Sequence, residues 1–315
     1  MNCATTCATQ VGEQRTRRKG PPRVPLSNLQ PASNEHQYMG RLYTAVEYAK
    51  LKQKELERFD FNLKYMYRPK FRFMHQGYYN IAHRCRASEI KHLLNSIRVF
   101  HADVYPRYFR YEPNKAIRVV VFGNRREFIR HTNTRVYGSY VPAINTMITY
   151  CGSGSGTMWH ELAHAFIKLN TSQAPPEWFN EGFASFFEKA KIRNGRFVPG
   201  YANWRHAYLR KAMDAGQIPS VASLVQSRSL AGRPAALSRA RFLFCYLWSR
   251  NKMHAFTRIY LFELLPRYQG DELGRRALET LEKLLGKSAA EINSEYLTLA
   301  RRLRPNQKLP REDAK

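Results

Sequence analysis

A chain of 315 residues with 43% hydrophobic and 13% aromatic side chains can bury a substantial core, which excludes a wholly disordered protein. No apolar run is long enough to cross a bilayer. The 52 basic residues outnumber the 24 acidic ones and give a formal net charge of +28, which predicts a weak attraction to polyanions. The charge does not by itself predict a nucleic-acid-binding protein, because it is spread along the chain and no recognition motif accompanies it.

The N-terminal composition and the cysteines bear on the cellular compartment. Residues 1–10 lack the basic-then-apolar pattern of a secretory signal, so the default expectation is cytoplasmic, with export only if the start is misassigned. Residues 1–37 are polar, basic and rich in proline, which predicts a disordered tail. The five cysteines are scattered and odd in number, which predicts reduced, mostly buried thiols at Cys3, Cys7, Cys85, Cys151 and Cys245.

Apolar spacing predicts a helix, a strand and a second helix in the next part of the chain. Near-helical spacing predicts an amphipathic helix from residue 38 to about 65, with a linker to residue 69. Alternation over residues 70–75 predicts a strand, and a one-sided apolar pattern predicts a helix from residue 80 to about 105. The histidines of this region have no ligand spacing and are interpreted as surface or packing residues: His75, His83, His92 and His101.

Two β-branched runs, at residues 116–123 and 145–150, predict strands, with a short helix and a turn between them. Gly138 and Pro142 in that turn suit the edge of a sheet. The Gly/Ser-rich loop at residues 151–156 lacks the lysine of a phosphate-binding loop. It is therefore interpreted as a lead-in to a helix that Ser155 or Thr157 caps.

The next segment, residues 157–166, contains His-Glu-x-x-His. On a helix His160 and His164 share one face, where two imidazoles can bind one metal ion, most often Zn²⁺. Glu161 would act as general base toward the attacking water. The flanking side chains are apolar and predict a buried helix, in which these polar groups are costly without a partner. The alternative is a pair of core histidines with ordinary hydrogen bonds.

A catalytic zinc site needs a third protein ligand and an open position. Glu181 is the predicted ligand, because it lies on a second apolar helical segment where a lone carboxylate would be expensive. Glu177 is a rival, although its place near the start of that helix is favoured by the helix dipole alone. Glu188 is another rival and could instead pair with Lys189 at the surface. Two neighbours could accept a ring N–H from a histidine ligand: Asn180 and Ser185.

The motifs His160-Glu161-Leu162-Ala163-His164 and Asn180-Glu181-Gly182-Phe183-Ala184 resemble those of the gluzincin metallopeptidases. The second closely resembles a segment of the membrane-alanyl-aminopeptidase family, whose Gly-Ala-Met-Glu-Asn exopeptidase sequence is absent here. The better overall match is to small bacterial gluzincin-like domains of unknown function, over about residues 70–300. This resemblance implies a zincin-like α+β fold, with a small mixed sheet, an edge strand over the metal helix and a helical C-terminal part. It also implies that residues 138–150 pair with extended substrate.

The C-terminal half predicts further helices at residues 240–248, 273–285 and 288–303, the last capped by Ser288 and Glu291. One catalytic domain is expected over residues 70–304, α/β to about residue 156 and helical after it, followed by a charged tail. In gluzincins a residue on a later helix stabilises the oxyanion of the reaction. Residue type leaves six candidates open: Tyr201, His206, Tyr208, Tyr246, Arg239 and Arg241.

The predicted function is hydrolysis of peptide bonds in a peptide or protein substrate. One Zn²⁺ ion would be bound by His160, His164 and Glu181, with Glu161 as general base. One alternative is a catalytically inactive binding protein of the same fold, which the unplaced oxyanion residue favours and the intact Glu161 opposes. Another is a basic nucleic-acid-associated protein with a peptidase site. The sequence indicates neither the substrate nor the oligomeric state.

Overall fold

The computed structural model describes residues 25, 34–67, 70–227, 229–230, 234–304 and 306–311. The predicted disordered tail therefore lies outside the described residues except for Pro25 and residues 34–37. Residue 305 and residues 312–315 of the predicted charged tail lie outside them as well.

The described elements alternate strands and helices to residue 198 and are helical after it. The strands are β1 (Glu35–Tyr38), β2 (Arg41–Thr44), β3 (Arg72–Gln76), β4 (Tyr79–His83), β5 (Ile117–Phe122), β6 (Gly138–Val141), β7 (Thr146–Tyr150), β8 (Lys191–Arg193) and β9 (Arg196–Val198). The helices are α1 (Ala45–Met66), α2 (Ala87–Tyr108), α3 (Arg125–Thr132), α4 (Ser155–Asn170), α5 (Glu177–Phe186), α6 (Arg205–Asp214), α7 (Val221–Val225), α8 (Pro234–Ser249), α9 (Met253–Ile259), α10 (Gly270–Leu285) and α11 (Ala289–Arg302).

The central sheet is mixed and has the strand order β3-β4-β5-β7-β6. Strands β4, β5 and β7 are parallel, whereas β3 and β6 run antiparallel to their neighbours at the two edges. The predicted α+β class is confirmed by this sheet and the helices around it. The edge position expected for Gly138 is also confirmed, since β6 pairs with β7 on one side only. The predicted turn is wrong, because residues 138–141 form strand β6, and residues 146–150 lie inside the sheet between β5 and β6.

Alternating side chains of the central strands enter two separate cores. Val119 and Val121 of β5 belong to the larger core, with side chains of α2 and α4. Val120 and Phe122 point to the opposite face and pack with residues of α1 and α3. The sheet is thus covered by helices on both faces, which explains why its central strands are apolar throughout.

Two predicted helices begin later in the structure than expected, and one hairpin of the structure is not predicted. The first helix begins at Ala45, because residues 35–44 form the β1–β2 hairpin, and Thr44 with Glu47 makes its capping box. The second helix begins only at Ala87, because residues 79–83 form strand β4, which is buried along its whole length. The β8–β9 hairpin was not predicted, although Asn194-Gly195 at its turn is a typical hairpin signal.

The prediction of reduced thiols is wrong for two cysteines. Cys85 and Cys151 form a disulfide across 66 residues of sequence. The bond joins the segment after β4 to the loop that leads from β7 into α4. Such a pairing cannot be read from cysteine spacing, because it depends on β4 and β7 lying on either side of β5 in the sheet. Cys245 is a free, buried thiol as expected, and Cys3 and Cys7 lie outside the described residues.

The C-terminal helices form a layer behind α5. Helix α8 is buried over Ser238–Ser249 and packs against α5, and α6 and α11 pack on its other side. The capping box of Ser288 and Glu291 is present at the start of α11, as predicted. Among the described helices, none is both long and apolar enough to cross a membrane.

Candidate metal centre

Helix α4 carries both histidines of the first motif into the protein. Met158, Trp159, Leu162 and Phe166 are buried in the larger core, so the helix is fixed on three sides. His160 and His164 lie one turn apart on the remaining face, and their Nε2 atoms are 3.1 Å from each other. Both rings are largely buried, with side-chain exposures of 11% and 12%.

Helix α5 brings Glu181 to the same point. One carboxylate oxygen lies 3.5 Å from His160 Nε2 and the other lies 3.5 Å from His164 Nε2. The three donor groups are therefore mutual neighbours, and their ligand atoms all lie within 4.8 Å of one another. Pro175-Pro176 precedes α5 and breaks the chain, which lets α5 return against α4.

The donor set suits a zinc ion. Two donors bound to zinc at ordinary bond lengths and tetrahedral angles stand about 3.3 Å apart. The observed separations of 3.1 Å and 3.5 Å bracket this value. Imidazole nitrogen combined with carboxylate oxygen is also a donor set that zinc accepts. The residues present thus fit the ion that the sequence predicts.

The pKa values of these groups in the absence of a metal also favour a cation at this point. Burial alone would lower the pKa of His160, but the carboxylates of Glu181 and Glu188 raise it to about 10. Burial and the charge on His160 lower the pKa of His164 to about 4. Burial would raise the pKa of Glu181, but its contact with the histidines lowers it to about 2. At neutral pH His160 is therefore positively charged, Glu181 is ionised and His164 is neutral. The positive charge of His160 stands where a divalent cation would replace it.

Each histidine also has a partner for its second ring nitrogen. His164 Nδ1 donates to Asn180 Oδ1 at 3.1 Å, as expected from the sequence. His160 Nδ1 lies 3.1 Å from Glu188 Oε1, although the angle of this contact departs from an ideal hydrogen bond. Arg205 donates to Glu188 from Nε and Nη2 at 2.8 and 2.7 Å. Partners of this kind fix the ring orientation of metal-binding histidines.

Glu161 lies on the cleft side of the centre, under the edge strand β6. Burial raises the pKa of its carboxyl group, and the backbone of Tyr140 in β6 acts in the opposite direction. The strand can approach because residue 138 is glycine: a Cβ there would lie 2.7 Å from Thr157 Cγ2 and 3.4 Å from Glu161 Cγ. The cleft between β6, α4 and α5 has a volume of about 370 Å³.

Glycine is also required directly after Glu181. A Cβ at Gly182 would lie 2.7 Å from the carbonyl oxygen of Ala240 and 2.8 Å from the ring of Phe244. Helix α5 therefore touches the backbone of α8 at this residue. Behind it, buried Arg241 donates to the carbonyl oxygen of Ser185 at 2.8 Å, near the C-terminal end of α5. These contacts set the position from which Glu181 reaches the histidines.

The two carboxylates that rival Glu181 as third ligand are both engaged with other partners. Glu177 accepts hydrogen bonds from the backbone of Leu230 and the hydroxyl of Ser229, so it is engaged outside the metal centre. The interpretation of Glu188 as a surface partner of Lys189 is wrong, since its carboxylate lies between His160 and Arg205.

Two expected roles of serine and threonine are also wrong. Ser185 donates to the backbone carbonyl of Glu181 in its own helix and does not accept from a histidine. Gly154 is the N-cap of α4, so neither Ser155 nor Thr157 caps it.

None of the six oxyanion candidates lines the cleft. Tyr246 donates to Glu295, and His206 contacts the carbonyl oxygen of Ala300. Arg239 and Arg241 donate to backbone carbonyl groups away from the centre. Tyr201 and Tyr208 also lie outside the lining residues. Their residue type made them candidates, but the packing of α6 and α8 directs them elsewhere.

Comparison with known proteins gives little further information. No protein-family model matches the chain, and no curated protein matches it. The structure of native yeast LTA4 hydrolase aligns with 77% of this chain at 16% sequence identity and a TM-score of 0.43. The alignment covers 40% of that protein, so this chain corresponds to less than half its length.

Proposed function

We propose that this chain is a zinc-dependent peptidase of the gluzincin type. The observation that supports the proposal is the meeting of His160, His164 and Glu181 around one point, with Glu161 beside it. The two motifs that supply these residues are the ones in which the sequence resembles gluzincins. The edge strand next to Glu161 supports a peptide substrate in particular, because an extended chain can pair with such an edge.

In the proposed reaction the metal ligands, the general base and the partners of the imidazole rings have separate roles. A zinc ion bound by His160, His164 and Glu181 would supply a Lewis acid that polarises a carbonyl group and lowers the pKa of water to about 7. Glu161 accepts the proton of the attacking water and then donates it to the leaving amine. Asn180 and Glu188 keep the imidazole rings turned with Nε2 toward the centre.

The substitution Glu161→Gln tests the proposal. This variant should bind one zinc ion as the wild type does, and should lose hydrolysis of a fluorogenic peptide library by about 10²–10⁴-fold, because the amide cannot accept the proton. Metal analysis of the purified protein and the initial rate of cleavage are the two measurements. Glu181→Ala is the matched comparison, since it should lose zinc and hydrolysis together. Zinc-dependent cleavage at the wild-type rate by Glu161→Gln would refute the assignment.

A second candidate is a binding protein that holds zinc without hydrolysis. The observation that favours it is the absence from the cleft of the six residues considered for oxyanion stabilisation. Zinc bound at one equivalent by the wild type, with no cleavage of any library peptide, would select this alternative.

A further inference from the structure

A lysine of the metal helix also lies in the cleft. Lys168 follows His164 by four residues and His160 by eight, so it continues the same face of α4. Four residues correspond to a rise of about 6 Å along the helix axis. The Lys168 side chain is exposed and contributes to the cleft wall, together with Ile167, Thr171 and Pro175.

The charge of Lys168 is not balanced within the cleft. The carboxylates that line the cleft belong to Glu161 and Glu181, and both are engaged at the metal centre. Within the described ranges, no carboxylate lies at ion-pair distance from the ammonium group of Lys168. The neighbouring wall formed by Ile167, Thr171 and Pro175 carries no charge, so no charged side chain of that wall competes with Lys168 for an incoming anion.

We propose that Lys168 forms a subsite for a carboxylate of the substrate, so that the cleft selects acidic peptides. This inference rests on the proposed peptidase function and deepens it. An extended lysine side chain is about as long as the rise of α4 between His164 and Lys168, which is about 6 Å. An extended peptide advances about 3.3 Å per residue. The carboxylate therefore lies within about three residues of the bond to be cleaved. It comes from an Asp or Glu side chain or from the C-terminus of a short peptide.

Binding tests the subsite separately from hydrolysis. The zinc-loaded Glu161→Gln variant is titrated with four fluorescent peptides. They carry either Glu or Gln at one position, and each of the two sequences is made as the free acid and as the C-terminal amide. Fluorescence anisotropy gives the dissociation constants. A side-chain subsite should favour Glu over Gln by about two- to fivefold in both C-terminal forms. A terminal subsite should favour the free acid over the amide by a similar factor whichever side chain is present.

Charge reversal supplies the control. Adding Lys168→Glu should abolish or invert the preference. Lys54→Glu, at an exposed residue of α1 that does not line the cleft, should leave the preference unchanged. Lys168→Met keeps much of the side-chain length and should remove the preference without changing zinc content. Added salt should weaken the preference in the Lys168 protein.

The outcomes separate the two proposals. Equal affinity for all four peptides, or no binding of any, would overturn the subsite even if the wild type cleaves peptides. A charge preference that depends on Lys168, with no cleavage by the wild type, would overturn the peptidase and leave the subsite standing.

Discussion

Glu188 is the residue that most changes the description of the site. Its side chain is only 13% exposed, and it lies between His160 on one side and Arg205 on the other. A buried carboxylate is stable only when it is paired, and the two Arg205 contacts supply that pair. Burial would raise the pKa of Glu188, but His160 and Arg205 lower it to about 2. The carboxylate is therefore charged at neutral pH and holds the imidazole of a proposed metal ligand.

We expect Glu188→Gln to lower zinc affinity about 10–100-fold, because the neutral amide orients and polarises His160 less well. The measurement is competition for zinc with a chromophoric chelator at neutral pH. Glu177→Gln is the matched control: it removes a charge at the start of α5, from a carboxylate engaged with Leu230 and Ser229. Equal zinc affinity in the two variants would show that Glu188 has no part in positioning His160.

The residues of the centre differ in how far the sequence could predict them. His160, Glu161 and His164 stand at fixed spacing on one helix, so local geometry alone predicts their shared face. Glu188 could not be assigned in this way, because its environment is made by Arg205, which follows the β8–β9 hairpin. Lys189 beside it in sequence offered a simpler partner, and that interpretation was wrong.

At the scale of elements, the site depends on the close contact of α5 with α8. We expect Gly182→Ala to lower the free energy of unfolding by about 1–2 kcal/mol. Overpacking against Ala240 and Phe244 costs about 1–3 kcal/mol, and the better helix propensity of alanine returns up to about 1 kcal/mol. Because the added methyl group pushes α5 away from α8, zinc affinity should fall as well. Urea unfolding and chelator competition measure the two effects. Unchanged stability together with unchanged zinc affinity would show that α5 does not need this contact.

Elements were predicted well where their pattern has a clear period and poorly where it has none. Helix α11 combines one-sided apolar spacing with the Ser288–Glu291 capping box, and both features are local. Strand β4 is buried on both faces, so it lacks the alternation of a half-exposed strand. The sequence pattern therefore assigns most of its residues to the helix that follows. The β8–β9 hairpin, in contrast, carries a local hairpin signal in Asn194-Gly195 at its turn.

At the scale of the whole molecule, the α+β class is predicted by the resemblance of the two motifs to those of gluzincins, and the sheet confirms the class. The disulfide between Cys85 and Cys151 could not be predicted, since it joins segments that only the order of the sheet brings together. His101 is another case. It is interpreted from the sequence as a surface or packing residue, and it lies on α2, stacked on Tyr105 and with Nδ1 2.7 Å from the hydroxyl of Tyr79 in β4.

Burial of His101 makes the stability of the whole fold depend on pH. Burial lowers the pKa of His101 from 6.5 to about 4, so the folded state holds the ring neutral while the unfolded state binds a proton below pH 6.5. Stability is therefore complete above pH 6.5 and is lost as the pH falls toward 4. A full shift of this size corresponds to about 3 kcal/mol, and because the ring is only partly buried by area we expect a loss of about 2 kcal/mol.

His164 has a similarly lowered pKa and loses stability over the same pH range, so the contribution of His101 must be measured by difference. Urea unfolding of the wild type and of His101→Phe at several pH values between 4.5 and 7.5 provides that difference. The variant should be less stable at pH 7.5, because the hydroxyl of Tyr79 loses its partner, and the gap should narrow as the pH falls. A gap that stays constant across this range would mean that His101 takes up its proton equally well in the folded and unfolded states.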